Sequence, residues 1–280
     1  MSETSDYKQT VIGTFDRAAP TYGVPGSNFF AYYAEKLVTD LPIPAGAQIL
    51  DLAAGRGALL YPAAEKVGKS GRVVGVDLSA EMVRLTSAEI HARGLTNAEM
   101  RLMDAEHLDF PDEHFDFVLC GFALFFFIPH IDATMQAIQR ILKPGGVLGT
   151  ITTGAHDERW LWWSKLLPQF FPADFVVPEV WRAVSTANTP EKLEVIFAKG
   201  GLTDFQATNE VFDIYFANAD DWWAWQLSNG TRMVLDAMTP DALARFKPAA
   251  YAGLAEVTEA DGRIRQQYHA LLATGRKPKS

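Results

Sequence analysis

Ile49-Leu50-Asp51-Leu52-Ala53-Ala54-Gly55-Arg56-Gly57, followed by Val73-Val74-Gly75-Val76-Asp77, decides the fold of this 280-residue chain. In each stretch an apolar run ends in an acidic residue, and the first continues into a glycine turn. A glycine lacks a Cβ, so the backbone there can turn sharply and come close to a ligand. A carboxylate at the end of the second strand can accept hydrogen bonds from both hydroxyls of a ribose. The spacing therefore predicts a nucleoside-binding βαβ unit. The nicotinamide fingerprint needs G-x-G-x-x-G, and Leu60 stands where its third glycine would be.

Working outward, short apolar strands are expected at Gln48–Asp51 and Arg72–Val76, with a helix beginning near Gly57 between them. Ser79 is the N-cap expected for a helix over Ala80–Arg93, which Gly94 ends. Glu99–Met103, Phe115–Gly121 and Val147–Thr153 continue the strands. A helix over Asp132–Leu142 stops at Lys143-Pro144-Gly145-Gly146. Strands alternating with helices at this spacing imply a parallel sheet covered on both faces. Thr189–Lys199 is a further helix, and Phe205–Phe216 and Gly262–Thr274 are two long strands that close the sheet as an antiparallel pair.

Six segments follow from this pattern. Residues 1–40 form an amphipathic N-terminal helical cap and 41–154 a Rossmann-like core. An aromatic lid insertion at 155–187 precedes a core helix and strand at 188–218. A helical lid insertion at 219–258 leads to the final strand at 259–280. The seven tryptophans all lie between Trp160 and Trp225, in or beside the insertions. Aromatic walls with few polar groups suit a flat or greasy small molecule. Phe122 and Phe126, at the mouth of the fourth strand, join Trp160, Trp163, Trp181 and Trp222 as candidate substrate-binding residues. The same apolar surface would equally serve a homodimer.

The composition narrows the choice. A net charge of −9 and a pI near 5.2 argue against nucleic acid, whose phosphates require a basic footprint. Cys120 is the only cysteine, so neither an intramolecular disulfide nor a cysteine-based zinc site can form. Asp220-Asp221 reads as a helix cap, and no metal is expected. The polar, acidic N-terminus lacks a basic-then-apolar signal pattern, and no apolar run approaches a membrane span. A soluble, cytoplasmic protein is expected.

Leu102-Met103-Asp104-Ala105-Glu106 places a third acid at a strand end. Ligands of open α/β sheets bind in the crevice outside the carboxyl ends of the strands, where Asp51, Asp77 and Asp104 would all lie. Asp104 is placed to accept from an adenine amino group, and Ala105 to donate its N–H to the ring. His130 and His156 follow the fourth and fifth strands and are the candidate general bases, histidine being the usual one. Asp157 is the neighbour that could orient His156.

Several pieces together carry a resemblance: the Asp51–Gly57 loop, Val76-Asp77-Leu78-Ser79, Met103-Asp104-Ala105-Glu106, Phe115-Asp116-Phe117-Val118, Leu142-Lys143-Pro144-Gly145-Gly146 and the N-terminal Phe15-Asp16-Arg17-Ala18-Ala19-Pro20-Thr21-Tyr22. As an ordered set they resemble the class I S-adenosylmethionine-dependent methyltransferases, nearest the branch acting on quinones and secondary metabolites. The resemblance implies a doubly wound seven-stranded sheet whose last strand is antiparallel, and S-adenosyl-L-methionine as cofactor. It further implies that Asp51, Ala53, Gly55 and Gly57 hold the methionine moiety and that Tyr22 closes over its carboxylate. Asp77 and Leu78 would bind the nucleoside, Met82 would pack on the adenine, and Asp104 and Ala105 would read its edge. Cys120 or Gly121 would line the sulfonium. Ala53 is a departure, because the family most often has glycine there.

The activity expected is methyl transfer to a hydrophobic, aromatic small-molecule acceptor. Oxygen is favoured, because a phenol or carboxyl acceptor asks least of a site with few bases, and carbon or nitrogen is the next choice. The alternative is a cofactor-binding fold that catalyses a non-methylating cyclisation or rearrangement, since fold does not fix function.

Overall fold

The computed structural model describes residues 3–23 and 28–279. Its centre is a seven-stranded sheet in the order β3-β2-β1-β4-β5-β7-β6. The strands are β1 Gln48–Leu52, β2 Arg72–Asp77, β3 Ala98–Leu102, β4 Phe115–Gly121, β5 Leu142–His156, β6 Thr203–Phe216 and β7 Ile264–Arg276. β1 to β5 pair in parallel, and β7 alone runs antiparallel to its neighbours β5 and β6. This is the doubly wound α/β sheet with a reversed last strand that the sequence predicts.

Side chains alternate across a strand, so β1 feeds two cores. Ile49 packs on one face of the sheet, with α2 Phe29–Asp40 and α3 Leu60–Val67. Leu50 and Leu52 pack on the other, with α5 Ile131–Ile141 and α8 Pro190–Lys199. Helical spacing supplies the matching stripes. Leu60, Ala63, Ala64 and Val67 are buried on α3, and Thr134, Met135, Ile138 and Ile141 on α5. Each fully buried aliphatic or aromatic side chain of this kind stabilises the fold by roughly 1.5–3 kcal/mol.

The local signals act where expected. Ser79 Oγ caps α4 Ala80–Ala92 by accepting from the Met82 N–H, and Thr189 caps α8 in the same way through Lys192. Most boundaries fall within two residues of the sequence reading, and two element starts move further. α3 begins at Leu60 and not near Gly57, because Gly55 and Gly57 sit at φ 53° and 81°, outside the right-handed helical region. β5 begins at Leu142, ahead of the Lys143–Gly146 turn, because Leu142 pairs with Phe115 before the register shifts.

The remaining helices are α1 Glu3–Ala18, α6 Leu161–Leu166, α7 Glu179–Ala183, α9 Ala219–Leu227, α10 Arg232–Asp236 and α11 Pro240–Gly253. Trp160, Trp222, Trp223, Trp225 and Phe246, from the segments around α6, α9 and α11, join the same core as α2. They cover the sheet face onto which Asp51 projects from the end of β1.

Candidate functional site

The site begins where β1 ends. Asp51 is 1% exposed. Beyond it the loop passes through Ala53 at φ 56°, then Gly55 and Gly57, also at positive φ. Gly57 is required twice over, since a Cβ there would lie 2.8 Å from the Tyr61 ring. Ala53 adopts the left-handed conformation at a steric cost that glycine would avoid. Asp77, at the end of β2, fastens this loop: its Oδ2 accepts from the Gly55 N–H at 2.8 Å and its Oδ1 from the Ser79 N–H at 2.9 Å. Burial raises the Asp77 carboxyl above its ordinary range, and these two N–H groups partly offset that.

Asp51 is more exposed to the same conflict. Burial first, and the Asp77 charge second, push its carboxyl well above the usual carboxylate range. Its Oδ2 has no hydrogen-bond partner, and the Arg56 Nε and the Tyr61 hydroxyl are likewise buried and unpartnered. All three residues border one cavity of about 930 Å³. An unpaired carboxylate oxygen bordering the same cavity as a guanidinium and a phenol donor complements the ammonium and carboxylate of an amino-acid group. The methionine end of S-adenosylmethionine fits this donor set.

A second cleft of about 790 Å³ continues from it along the strand ends, past Ala53, Gly55, Asp77, Leu78, Met82, Asp104 and Ala105. Its roof is α1, which contributes Tyr7, Lys8, Val11 and Phe15. The Lys8 ammonium donates to Asp104 Oδ2 at 2.6 Å and Glu106 Oε2 at 2.7 Å. Asp104 also accepts from the Glu106 N–H. Burial opposes ionisation of Asp104, but the Lys8 and Glu106 hydrogen bonds outweigh it and lower its pKa. Tyr7 donates to the Phe126 carbonyl at 2.6 Å, and Asp16 accepts from Ser79 Oγ. Sequence reasoning placed α1 as a cap but assigned none of its residues to the cleft. The signal was present, because Tyr7, Val11 and Phe15 recur four apart on one helix face.

The third space is an aromatic cavity of about 1120 Å³ on the α2 side of the sheet. Phe122, Phe126, Trp163 and Trp181 border it, as does Trp225. Trp160 and Trp222 do not. They stack on each other at 6.0 Å and an interplanar angle of 28°, buried in the core beneath α6 and α9. Their place is set by packing between segments far apart in sequence, and neither is part of the lining of the aromatic cavity.

Phe15, Tyr22, Phe122 and Phe126 border both the cofactor-sized cleft and the aromatic cavity. Tyr22 and Phe122 also border the cavity around Asp51. The three spaces therefore meet at these two rings. Tyr22 stacks on Phe30 at 4.9 Å, and burial followed by the Asp77 charge holds its phenol above its ordinary range. Phe122 sits at φ 53°, a strained conformation for a bulky residue, with its N–H fixed to the Ile151 carbonyl at 2.7 Å.

The other candidates are placed as follows. Gly121 borders the cleft beside Phe122, whereas Cys120 is fully buried beneath it, and burial pushes its thiol up. His130 ends a 3-10 turn ahead of α5 and borders neither the cleft nor the aromatic cavity. The His156 side chain lies outside the described residues. Asp220 and Asp221 occupy the first turn of α9, which Asn218 caps. Asp104, Glu106 and His107 bring ligand atoms within 4.8 Å of one another, and the Lys8 ammonium is seated between two of these carboxylates.

Comparison with known proteins identifies the family. A family model described as a methyltransferase domain matches residues 49–146. Nocamycin O-methyltransferase of Saccharothrix syringae is 29% identical over 272 residues, spanning 94% of this chain and 96% of that protein. Aklanonic acid methyltransferase DauC of Streptomyces sp. strain C5 is 37% identical over 184 residues, spanning 64% of this chain and 82% of that protein. Among solved structures, the YcgJ protein of Bacillus subtilis superimposes with a TM-score of 0.59 at 19% identity, covering 89% of this chain and all of its own. The last likeness shows the shared fold.

Proposed function

Because the chain belongs to the class I S-adenosylmethionine-dependent methyltransferases, in the branch acting on quinones and secondary metabolites, we propose that it methylates an oxygen of a flat, hydrophobic, aromatic small molecule. The observation that carries this reading is the meeting of the cofactor cleft and the aromatic cavity at Tyr22 and Phe122. A methyl group can cross there while the two molecules stay in separate compartments.

Bound in the cleft, S-adenosylmethionine supplies an electrophilic methyl and a neutral thioether leaving group. The protein supplies position and dryness. Asp51 holds the ammonium and orients the amino-acid end. Asp77 accepts from the ribose, and Leu78, Met82 and Ala105 enclose the base. The aromatic walls remove water from the acceptor oxygen, which strengthens its attack, and hold it in line with the methyl.

The described residues bordering the aromatic cavity include no carboxylate, amine, guanidinium or imidazole. That supports an acceptor oxygen acidic enough to ionise without help, a carboxylic acid before a phenol. For a phenol acceptor, His156, at the end of β5, is the residue proposed to take up the proton. The relatives' names, an O-methyltransferase and a methyltransferase of an acid, support the same reading.

The test is incubation with methyl-labelled cofactor and a panel of aromatic carboxylic acids and phenols, using wild type and Gly230→Trp. A Cβ at Gly230 meets nothing closer than 3.8 Å, so a side chain there projects into the cavity near Phe126. Label should appear in an acid or phenol with wild type. Gly230→Trp should abolish transfer and keep S-adenosylhomocysteine binding. Turnover of an acceptor with no label in any product would overturn the proposal in favour of a non-methylating reaction.

A further inference from the structure

The apolar stripe of β7 has one polar interruption. Ile264, Ala270 and Leu272 face the core beneath the tryptophans, with Tyr268 packed against it, and Gln266 lies in the same two-residue repeat. Gln266 borders the aromatic cavity, and its Oε1 is buried without a partner. Across the lining, Trp181 is held by ring contacts with Phe171 and Phe175 at 5.6 and 5.5 Å, and its Nε1 is also buried and unpartnered.

Neighbouring polar side chains of the cavity are engaged within the protein. The Thr153 and Tyr268 hydroxyls bond each other at 3.4 Å. Gln226 donates to the Trp222 carbonyl, and Asn229 bonds both the Trp225 carbonyl and the Thr231 N–H. An acceptor atom and a donor atom are thus left for whatever fills the space. Burying each unpaired costs the free protein its desolvation, which a ligand with complementary groups would recover.

We propose that Gln266 and Trp181 are the specificity-determining pair of the acceptor site, selecting an aromatic molecule that offers a hydroxyl or N–H to Gln266 Oε1 and a carbonyl-type oxygen to Trp181 Nε1. This rests on reading the aromatic cavity as the acceptor site. It adds a chemical requirement that the hydrophobic walls alone do not impose: a hydrocarbon of the same shape leaves both atoms unpaired. A site built to bond a hydroxyl rejects the analogue that lacks it.

The experiment measures binding of four probes by equilibrium dialysis in the presence of S-adenosylhomocysteine: 1-naphthol, naphthalene, 1-tetralone and tetralin. The proteins are wild type, Gln266→Met, Trp181→Phe and Gly230→Trp. Gln266→Met should reduce the ratio of 1-naphthol to naphthalene affinity about tenfold and leave the tetralone ratio unchanged. Trp181→Phe should do the converse. Because each variant removes an unpaired buried group, thermal midpoints of the free proteins should stay level or rise. Wild-type ratios that survive both substitutions would overturn the pair, as would a Gln266→Met protein that binds all four probes more weakly and melts earlier. Probes that bind Gly230→Trp as tightly as wild type would instead overturn the acceptor-cavity reading beneath it.

Discussion

Replacing Asp51 by asparagine tests the electrostatic logic of the cofactor site. The amide keeps the shape and can still accept from the Leu60 N–H that the carboxylate uses. The charge is lost, and with it the partner expected for the ammonium. A hydrogen bond to a charged group contributes roughly 1.5–3 kcal/mol, so S-adenosylhomocysteine should bind about 10- to 150-fold more weakly. The free protein should respond in the opposite sense. Asp51 is 1% exposed with an unpartnered oxygen, so the substitution removes a poorly solvated charge and should stabilise the fold near neutral pH.

The pH dependence has a definite sign. The Asp51 carboxyl is raised in the folded state, so the native protein holds its proton longer than the unfolded chain does. Stability conferred by that proton is present below the folded pKa and is lost as pH rises from the unfolded value, about 3.9, through the raised one. Asp77, raised by burial in the same direction, keeps its share of this slope in the variant. The assay is calorimetric titration with S-adenosylhomocysteine and with 5′-methylthioadenosine, which lacks the amino-acid end, together with urea midpoints across pH. Methylthioadenosine should bind both proteins alike. Equal loss for both ligands, or a variant less stable than wild type at pH 8, would refute the reasoning.

Lys8→Met removes an ammonium whose side chain is 19% exposed and which bridges Asp104 and Glu106; S-adenosylhomocysteine should dissociate several-fold faster in stopped-flow fluorescence, with a stability change of about 1 kcal/mol. Asp104, lowered by that contact, contributes stability above its unfolded pKa that is lost as pH falls through the folded one, and the variant should lack this acid-side decline. Ala53→Gly relieves a left-handed alanine and should raise the unfolding free energy from urea melts by up to about 1 kcal/mol, whereas Ala53→Val should lower it. Trp222→Leu, in the buried stack with Trp160, should cost about 3 kcal/mol of stability. Trp163→Leu, on the cavity wall, should instead raise the KM for the acceptor in steady-state assays.

What could be read from the residues alone was what short-range chemistry determines. The Ser79 and Thr189 caps depend on neighbours a few positions away, and the strand ends at Asp51 and Asp77 and the glycine turn are marked by the local order of apolar runs, acids and glycines. The position of Ala53 was visible as a departure, and its φ of 56° shows why glycine suits the place. Residues whose roles depend on distant partners were not legible. Lys8 finds its carboxylates 96 and 98 positions away. Seven tryptophans look alike in sequence, yet Trp163, Trp181 and Trp225 face a cavity while Trp160 and Trp222 face each other. Gln266 reads as one of two adjacent glutamines, and only the pairing of β7 with β5 and β6 turns it inward.

The helix over the cofactor cleft does not end its work there. Lys8 and Asp16 of α1 grip the strand-end segments that carry Asp104 and Ser79. One residue further on, Arg17 donates to Asp236 at 2.6 Å at the end of α10, whose Met233 and Val234 border the acceptor cavity. The proposed nucleoside seat and the proposed acceptor wall therefore share one helix as a strut. The expected kinetic outcome is an ordered reaction, with the cofactor binding first and the spent cofactor leaving last. S-adenosylhomocysteine should then inhibit competitively against S-adenosylmethionine and noncompetitively against the acceptor.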